Sequence, residues 1–485
     1  MSTKTARATK AEANVVCPSH LEDSTLPRDW EWVSLGNICR TTSGGTPSRK
    51  IKEYFEGDIP WVKSGELPDG PVSEIEEYIT GEAVKNSSAK QFPKGTLLIA
   101  LYGATVGKLG VLTQEAATNQ AVCAIFPPDD LETKYLFWYL RFVRSDLIAQ
   151  AIGGAQPNIS QGILRNLLIP VAPRYQQKRI VAEIEKQFSR LDEAVANLKR
   201  IKANLKRYNA AVLKAAVEGK LTEDWRQQHP NVEPASKLLE RILAGRSAKL
   251  GKRKEGFLSA EGDPPAESPD SWVACSIDQI AECLDAKRVP VNKAERAKRG
   301  GNIPYYGANG QVGVIDDYIF DEALVLVVED ETFAGRTQAF SYLIRGKSWV
   351  NNHAHVLRAT SAVNVKYLNH ALAHYPFTPR TTGSTGRRKL TQKGLMTAPF
   401  LLPSLAEQDQ IVAEVECRLS LIEELEAAIQ TSLTRAERMR QSILSQAFSG
   451  RLLTQDLKSI PNAVATFSTA AESPASYGTD SCAER

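Results

Sequence analysis

The chain is poor in the groupings that mark a catalyst, a disulfide scaffold or a membrane protein. Its 485 residues hold 6 histidines, 3 methionines and 7 cysteines, an odd cysteine count with no Cys-x-x-Cys pair. That argues against a zinc ribbon or a disulfide framework and fits a reducing cytoplasm. The longest apolar runs, Thr96 to Leu101 and Ala323 to Val328, are strand-sized, far below the roughly 20 residues of a membrane span. Lys4, Arg7 and Lys10 are followed by no apolar stretch, so no secretory signal is expected. No Asn-Pro-Pro-Tyr or Asp-Pro-Pro-Tyr run is present, nor a glycine-rich strand-to-helix loop for a methyl-donor cofactor. A net charge of +4 says little alone, because a nucleic-acid binder can concentrate its cations locally. The 42% hydrophobic content suits a soluble globular protein, and the length calls for about two to four domains.

Proline is also missing from two long stretches, and those stretches are copies of each other. None occurs between Pro173 and Pro230, where Gly219 is the only glycine, or between Pro403 and Pro461, where Gly450 is the only one. Gln177 to Leu221 aligns without a gap on Gln408 to Leu452. Each predicts one long helix. Apolar residues follow a heptad, with Val181, Phe188 and Val195 at one seam position and Ile184, Leu191, Leu198, Leu205 and Val212 at the other. The second copy sets Val412, Leu419 and Leu433 against Val415, Ile422, Ile429 and Ile443. Such a seam lies on one helix face and requires a partner helix. Ser404 and Glu407 form a capping-box pair, while Gly219 and Gly450 stand where a left-handed C-terminal residue belongs. Gln177 to Gly219 would span about 64 Å at 1.5 Å per residue. Lys202, Asn209, Glu426 and Arg440 interrupt the seam, as polar residues that fix register do. The expected pairing is of one copy with the other, through Val181, Ile184, Phe188, Leu191, Leu198, Leu205, Val412, Val415, Leu419, Ile422 and Ile429. Two unrelated surface helices are the plainer alternative.

The repeat extends to a whole unit. Pro27-Arg28-Asp29-Trp30 is matched by Pro269-Asp270-Ser271-Trp272, and Gly57-Asp58-Ile59-Pro60-Trp61 by Gly301-Asn302-Ile303-Pro304-Tyr305. Asn119-Gln120-Ala121 is echoed by Asn352-His353-Ala354, and Lys134-Tyr135-Leu136 by Lys366-Tyr367-Leu368. Short strands are expected at Gly95 to Leu101, Gly110 to Thr113, Ala121 to Phe126, Val312 to Ile315, Leu324 to Val328 and Phe340 to Ile344. Helices are expected at Thr133 to Ala151, Val365 to His374 and Ser236 to Leu243. The expected architecture is α+β, with two mixed α/β domains joined by two long antiparallel coiled-coil helices as a pseudo-two-fold internal repeat. In order it comprises a disordered tail (1–26), a first domain (27–175), a long helix (176–225) and a linker with a short helix (226–268). A second domain (269–404), a second long helix (405–455) and a disordered tail (456–485) follow.

Fragments of catalytic motifs fail on inspection. Gly103-Ala-Thr-Val-Gly107-Lys108 is one residue short of a phosphate loop and has Leu109 where a hydroxyl belongs, so a β-turn is favoured. His353-x-His355 would place two imidazoles on one strand face, but the first unit has Gln120 and Val122 there, so a polar or base-facing role is preferred over a metal. Glu218-x-Lys220 resembles part of a nuclease motif, yet its copy reads Ser449-x-Arg451, which suits a helix end. No catalytic and no metal-ligating residue is assigned.

What is present are glycine loops rich in Arg, Lys, Asn, Gln, Ser and Thr, the groups that meet phosphates and base edges. The first unit offers Thr46, Ser48, Arg49, Lys50, Lys63, Ser64, Tyr102, Thr105, Lys108, Gln156 and Asn158. The second offers Arg299, Tyr306, Asn309, Gln311, Arg336, His353, Arg387, Arg388 and Lys389. Each loop alone could be a solvated turn. Their recurrence in both units points to an anionic, roughly two-fold ligand such as duplex DNA, whose half-sites lie about 34 Å apart or a multiple of that.

These residues carry a resemblance. Gly44-Gly45-Thr46-Pro47-Ser48, Gly57 to Trp61, Gly103 to Lys108, Thr118 to Ala121 and the duplicated Gln177 to Glu185 resemble the DNA-specificity subunit of type I restriction-modification enzymes, over about residues 27 to 455. The resemblance implies two target-recognition domains, each reading half of a split target, and paired helices that fix the unread gap and dock two methyltransferase subunits. It implies restriction (motor-nuclease) subunits in the larger complex, a cytoplasmic location and no membrane. It leaves no cofactor to this chain, with S-adenosylmethionine, ATP and Mg2+ used by partner subunits. The alternatives are a self-contained methyltransferase or nuclease, and a coiled-coil protein adaptor.

Overall fold

The computed structural model describes residues 26–151, 158–250, 258–264, 268–331, 333, 336, 338–383 and 388–453. Both expected tails, apart from Leu26, fall outside these residues, as do Gln156 and Arg387. The described residues form two compact units, 26–198 with 431–453 and 199–430.

In the first unit, Glu31–Ser34 pairs antiparallel with Leu168–Val171, which ties the entry of the domain to its exit. A five-stranded sheet runs Arg40–Ser43, Val122–Phe126, Leu97–Ala100, Leu109–Leu112, Gly70–Val72. A four-stranded sheet runs Tyr78–Ile79, Ile59–Val62, Ala116–Thr118, Gln91–Phe92. Strand Leu97–Ala100 is buried on both faces, hence its unbroken apolar run. The helix expected from Thr133 to Ala151 is two, Thr133–Phe142 and Arg144–Ala149, with Val143 at the break. Tyr135, Tyr139 and Phe142 on the first of these ring the buried Phe448, with centroids 5.2, 5.0 and 5.8 Å away.

The second unit repeats this plan. Val273–Ser276 pairs with Pro399–Leu402. One sheet runs Ala281–Cys283, Ala354–Ala359, Leu324–Val328, Ser341–Ile344, and another Gly310–Ile315, Ile303–Gly307, Lys347–Val350, Phe320–Asp321. A three-stranded sheet of Asp330–Glu331, Arg388–Leu390 and Thr381–Thr382 completes it. Residues 226–268 are more than a tether. The helix there runs Ala235–Leu250, longer than the expected Ser236 to Leu243. Its Leu238 and Leu239 are buried in the core of this unit, and Arg246 donates to the Asp278 and Gln279 carbonyls.

The long helices run Arg174–Val217 and Leu405–Phe448, 44 residues each, or about 66 Å at 1.5 Å per residue. Each contributes one half to each unit. Within the first unit Ile180 lies near Ala447 and Asp192 pairs with Arg440. Within the second, Thr222 bonds Glu407 and Lys202 Nζ donates to Gln430 Oε1 at 3.1 Å. In both, the halves therefore run antiparallel. Val181, Ile184, Phe188, Val412, Val415, Ile422 and Ile429 are buried, and Leu191, Leu198, Leu205 and Leu419 are half-buried. A pair of helices covers only one side of each, so mid-rod seam residues keep one flank in water. Of the polar seam residues, Arg440 also lies over the Phe188 ring at 5.8 Å.

The helix ends follow the sequence with one exception. Gly219 and Gly450 have φ of +70° and +75°, and the next residue's N–H reaches back five positions, Lys220 to Ala215 and Arg451 to Gln446, as in a Schellman stop. A Cβ on either glycine would lie 2.6 Å from Pro269 or 2.3 Å from Pro27. The exception is the capping box, of which only half forms. Ser404 Oγ accepts the Glu407 N–H at 3.3 Å, but the Glu407 carboxylate turns away to Thr222, Arg226 and Trp272. Three donors from elsewhere in the chain outcompete its own cap. Its twin, Gln176, accepts the Trp30 indole N–H in the same way.

Candidate nucleic-acid interface

The loops of the first unit meet around the turn at Thr118 to Ala121, which follows a short strand and precedes a buried one. Gly45 N–H donates to the Thr118 carbonyl, Asn119 N–H to that of Val62, and Leu101 N–H to that of Ala121. Thr46 Oγ1 donates to Gln120 Oε1, and Thr105 Oγ1 to the Ser64 carbonyl at 2.9 Å. Tyr102 bridges to Asn158. Thr46, Lys63, Ser64, Tyr102, Thr105 and Asn158, far apart in sequence, thus share one rim. Gly103 and Gly107 have φ of +91° and +76° in a tight turn that leads to strand Leu109–Leu112 rather than to a helix. The phosphate-loop geometry is therefore absent, and Lys108 is presented, half-buried, by a β-turn.

Arg49 and Lys63 join this rim through a shared carboxylate. Glu77 lies 2.7 Å from Arg49 and 3.2 Å from Lys63, and Lys63 also has Glu76 at 3.0 Å and Glu66 at 3.7 Å. Burial works to raise the Glu77 carboxyl, but hydrogen bonds from Lys63 and Arg49 outweigh it and hold its pKa below the ordinary carboxylate value. The bond that Lys63 donates to Glu76 leads in raising its own pKa. The Arg49 guanidinium is also stacked over Phe55 at 4.3 Å. Ser48 and Lys50 are exposed, and Lys50 has no ion-pair partner among the described residues.

In the second unit the rim forms around Asn351 to His353. Asn351 N–H donates to the Tyr306 carbonyl and Glu329 N–H to that of His353. These bonds match those of Asn119 and Ala121, so Asn351 and His353 are the counterparts of Asn119 and Ala121. The sequence echo with Asn352-His353-Ala354 is thus one residue out of register, because a loop change is invisible to a three-residue match. The pairing of His353 and His355 on one face also fails. His353 is exposed and faces Asp330 at 2.7 Å, while His355 is 1% exposed inside the domain.

His355 sits in a buried charge cluster that sequence reasoning missed. Its Nε2–H donates to the Leu390 carbonyl at 2.8 Å and its Nδ1 lies 2.5 Å from Asp285. Arg288 bonds Asp285 and Glu329, and Lys389 reaches Glu329 at 2.9 Å. Cys283 completes a three-residue group of metal-ligand type, but both ring nitrogens of His355 already have protein partners. Burial raises Asp285 and Glu329, and their cationic neighbours more than reverse this, leaving both pKa values lowered. The one sequence signal was the run Val-Val-Glu-Asp-Glu from 327 to 331, which puts acid at the end of an apolar strand.

Lys389 is therefore anchored from inside while its amine stays exposed, and Arg388 donates to the Thr378 carbonyl at 3.1 Å. Arg336 donates to Asn309 Oδ1 at 2.7 Å, drawing two candidates together beside Tyr306 and Gly307. Gln311 donates to the Gly313 carbonyl. Arg299 stands apart, paired with Asp316 and lying over Trp349 at 4.8 Å. The counterpart of Arg49 over Trp61 is Arg296 over Tyr305 at 4.4 Å, a residue not singled out in the sequence.

A family model described as type I restriction modification DNA specificity domain matches residues 27–207 and again 269–435. The MjaIX specificity subunit of Methanocaldococcus jannaschii is 32% identical over 180 residues, covering 36% of this chain and 40% of that protein. The EcoDI specificity subunit of Escherichia coli is 23% identical over 453 residues, covering 89% and 90%. Two solved structures share the fold at 18% identity. One is from work on complex assembly and conformational transition of the type I R-M system (TM-score 0.62; 88% and 100% covered). The other is the HsdS subunit of Thermoanaerobacter tengcongensis (TM-score 0.52; 89% and 100% covered).

Proposed function

We infer the role of this chain from its family: it belongs to the type I restriction-modification DNA specificity family. It is a specificity subunit, a sequence-specific DNA-binding chain rather than a catalyst. Each unit reads one half of a bipartite duplex target through its loop rim, and the two helices set the number of base pairs left unread. Two methyltransferase subunits dock on the helical part and supply S-adenosylmethionine chemistry. Restriction subunits add ATP- and Mg2+-dependent steps, and the complex works in the cytoplasm.

The observation that carries this is the duplicated rim. Cation-bearing loops gather at the equivalent turns Thr118–Ala121 and Asn351–His353, and in both units antiparallel halves of the same two helices form the base. Four residues inserted at the middle of each helix add about 6 Å, close to two base pairs at about 3.4 Å each. Mapping methylated adenines should then show both half-sequences kept and the gap lengthened. Altered half-sequences with an unchanged gap would sink the spacer role.

A further inference from the structure

The internal repeat exposes a cavity that one unit fills and the other leaves open. In the first unit, as described, the Phe448 ring closes a cluster with Tyr135, Tyr139 and Phe142. By the same helix alignment, Phe448 corresponds to Val217, Tyr139 to Ala371 and Phe142 to His374. Three aromatic rings are thus replaced by a valine, an alanine and an imidazole. A cavity of about 310 Å3 opens there in the second unit, lined by these three residues with Tyr367, His370 and Tyr375. That volume is at the lower end of small-molecule sites, which run from about 300 to 1,000 Å3.

Two details set the chemistry of an occupant. Tyr139 donates its hydroxyl to the Leu168 carbonyl, and in the second unit Tyr375 does so to the matching Pro399 carbonyl at 2.8 Å. The backbone acceptor is thus satisfied without restoring a ring at position 371. His370 Nε2 is buried and has no hydrogen-bond partner among the described residues. Burial lowers the pKa of His370 and of His374, so both rings are neutral near pH 7. The His370 nitrogen is shielded from the cavity, so the lining an occupant meets is mainly aromatic and aliphatic.

We propose that this cavity is a binding site for a small aromatic molecule, whose ring stacks where Phe448 stands in the twin unit. The test uses the full chain with phenol, indole and toluene, read by calorimetry and by the thermal midpoint. Wild type should bind all three saturably. Val217→Phe should raise the midpoint without ligand and abolish binding of all three; Ala371→Tyr serves the same purpose should Val217→Phe fail to fold. No saturable binding by wild type, or undiminished binding by the filled variants, would overturn the proposal.

Discussion

Arg49 and Lys63 lie on one rim with Lys50 next to Arg49 in the chain, and the three should contribute unequally to DNA binding. Each phosphate contact releases counterions and adds about 0.9 to the slope of log affinity against log salt. A cation with no carboxylate partner contributes that in full. Lys50 is such a cation, so Lys50→Gln should flatten the slope by about 0.9 and cut the affinity lost between about 50 and 200 mM salt by roughly 3.5-fold. Lys63 has three carboxylates within 4 Å, at 3.0, 3.2 and 3.7 Å. Its charge is largely neutralised before DNA arrives, and moving to a phosphate would strand Glu77 beside the duplex. Lys63→Gln should therefore change the slope by less than half as much, with Arg49→Gln in between because it shares Glu77 alone. Glu77→Gln, which frees Arg49 and leaves Lys63 with Glu76 and Glu66, should tighten binding at low salt. The assay is fluorescence anisotropy of a duplex titrated across a salt series. Equal slope changes for Lys50→Gln and Lys63→Gln would refute the reasoning.

Glu407→Ala strands Thr222, Arg226 and Trp272 in a buried site. Breaking such a pair costs about 3–5 kcal/mol, and the 21% exposure of the Arg226 side chain favours the lower end. Denaturant unfolding checks this, and a loss below about 1 kcal/mol would contradict it. Phe448→Ala should cost about 3–5 kcal/mol as a buried ring, whereas Val217→Ala, beside an existing cavity, should cost far less in the same measurement. The lowered carboxyls of Asp285 and Glu329 contribute stability that is present above the ordinary carboxylate range and lost as pH falls through their folded pKa values. Asp285→Asn should be less stable than wild type at neutral pH and lose that difference in acid. A constant difference from pH 7 to pH 2 would remove Asp285 from the linkage.

Some features were fixed by sequence because they depend on neighbours along the chain. Heptad spacing, the proline-free stretches and Gly219 and Gly450 act within a turn or two of helix, and the duplication is a property of the string itself. The two rods, their stops and the plan of two repeated units follow from these. Which side chains meet was decided only by folding. Glu407 had a local partner in its own cap and took three distant donors instead. Lys63 and Arg49 were legible as cations, but Glu76 and Glu77, the carboxylates closest to them, arrive from another loop. His355 read as sharing a strand face with His353, yet it is buried against Asp285, 70 residues away. Local periodicity is set by backbone geometry over a few residues. The partner of a charge is set by whichever opposite charge the packed core brings within reach, and no spacing rule encodes that.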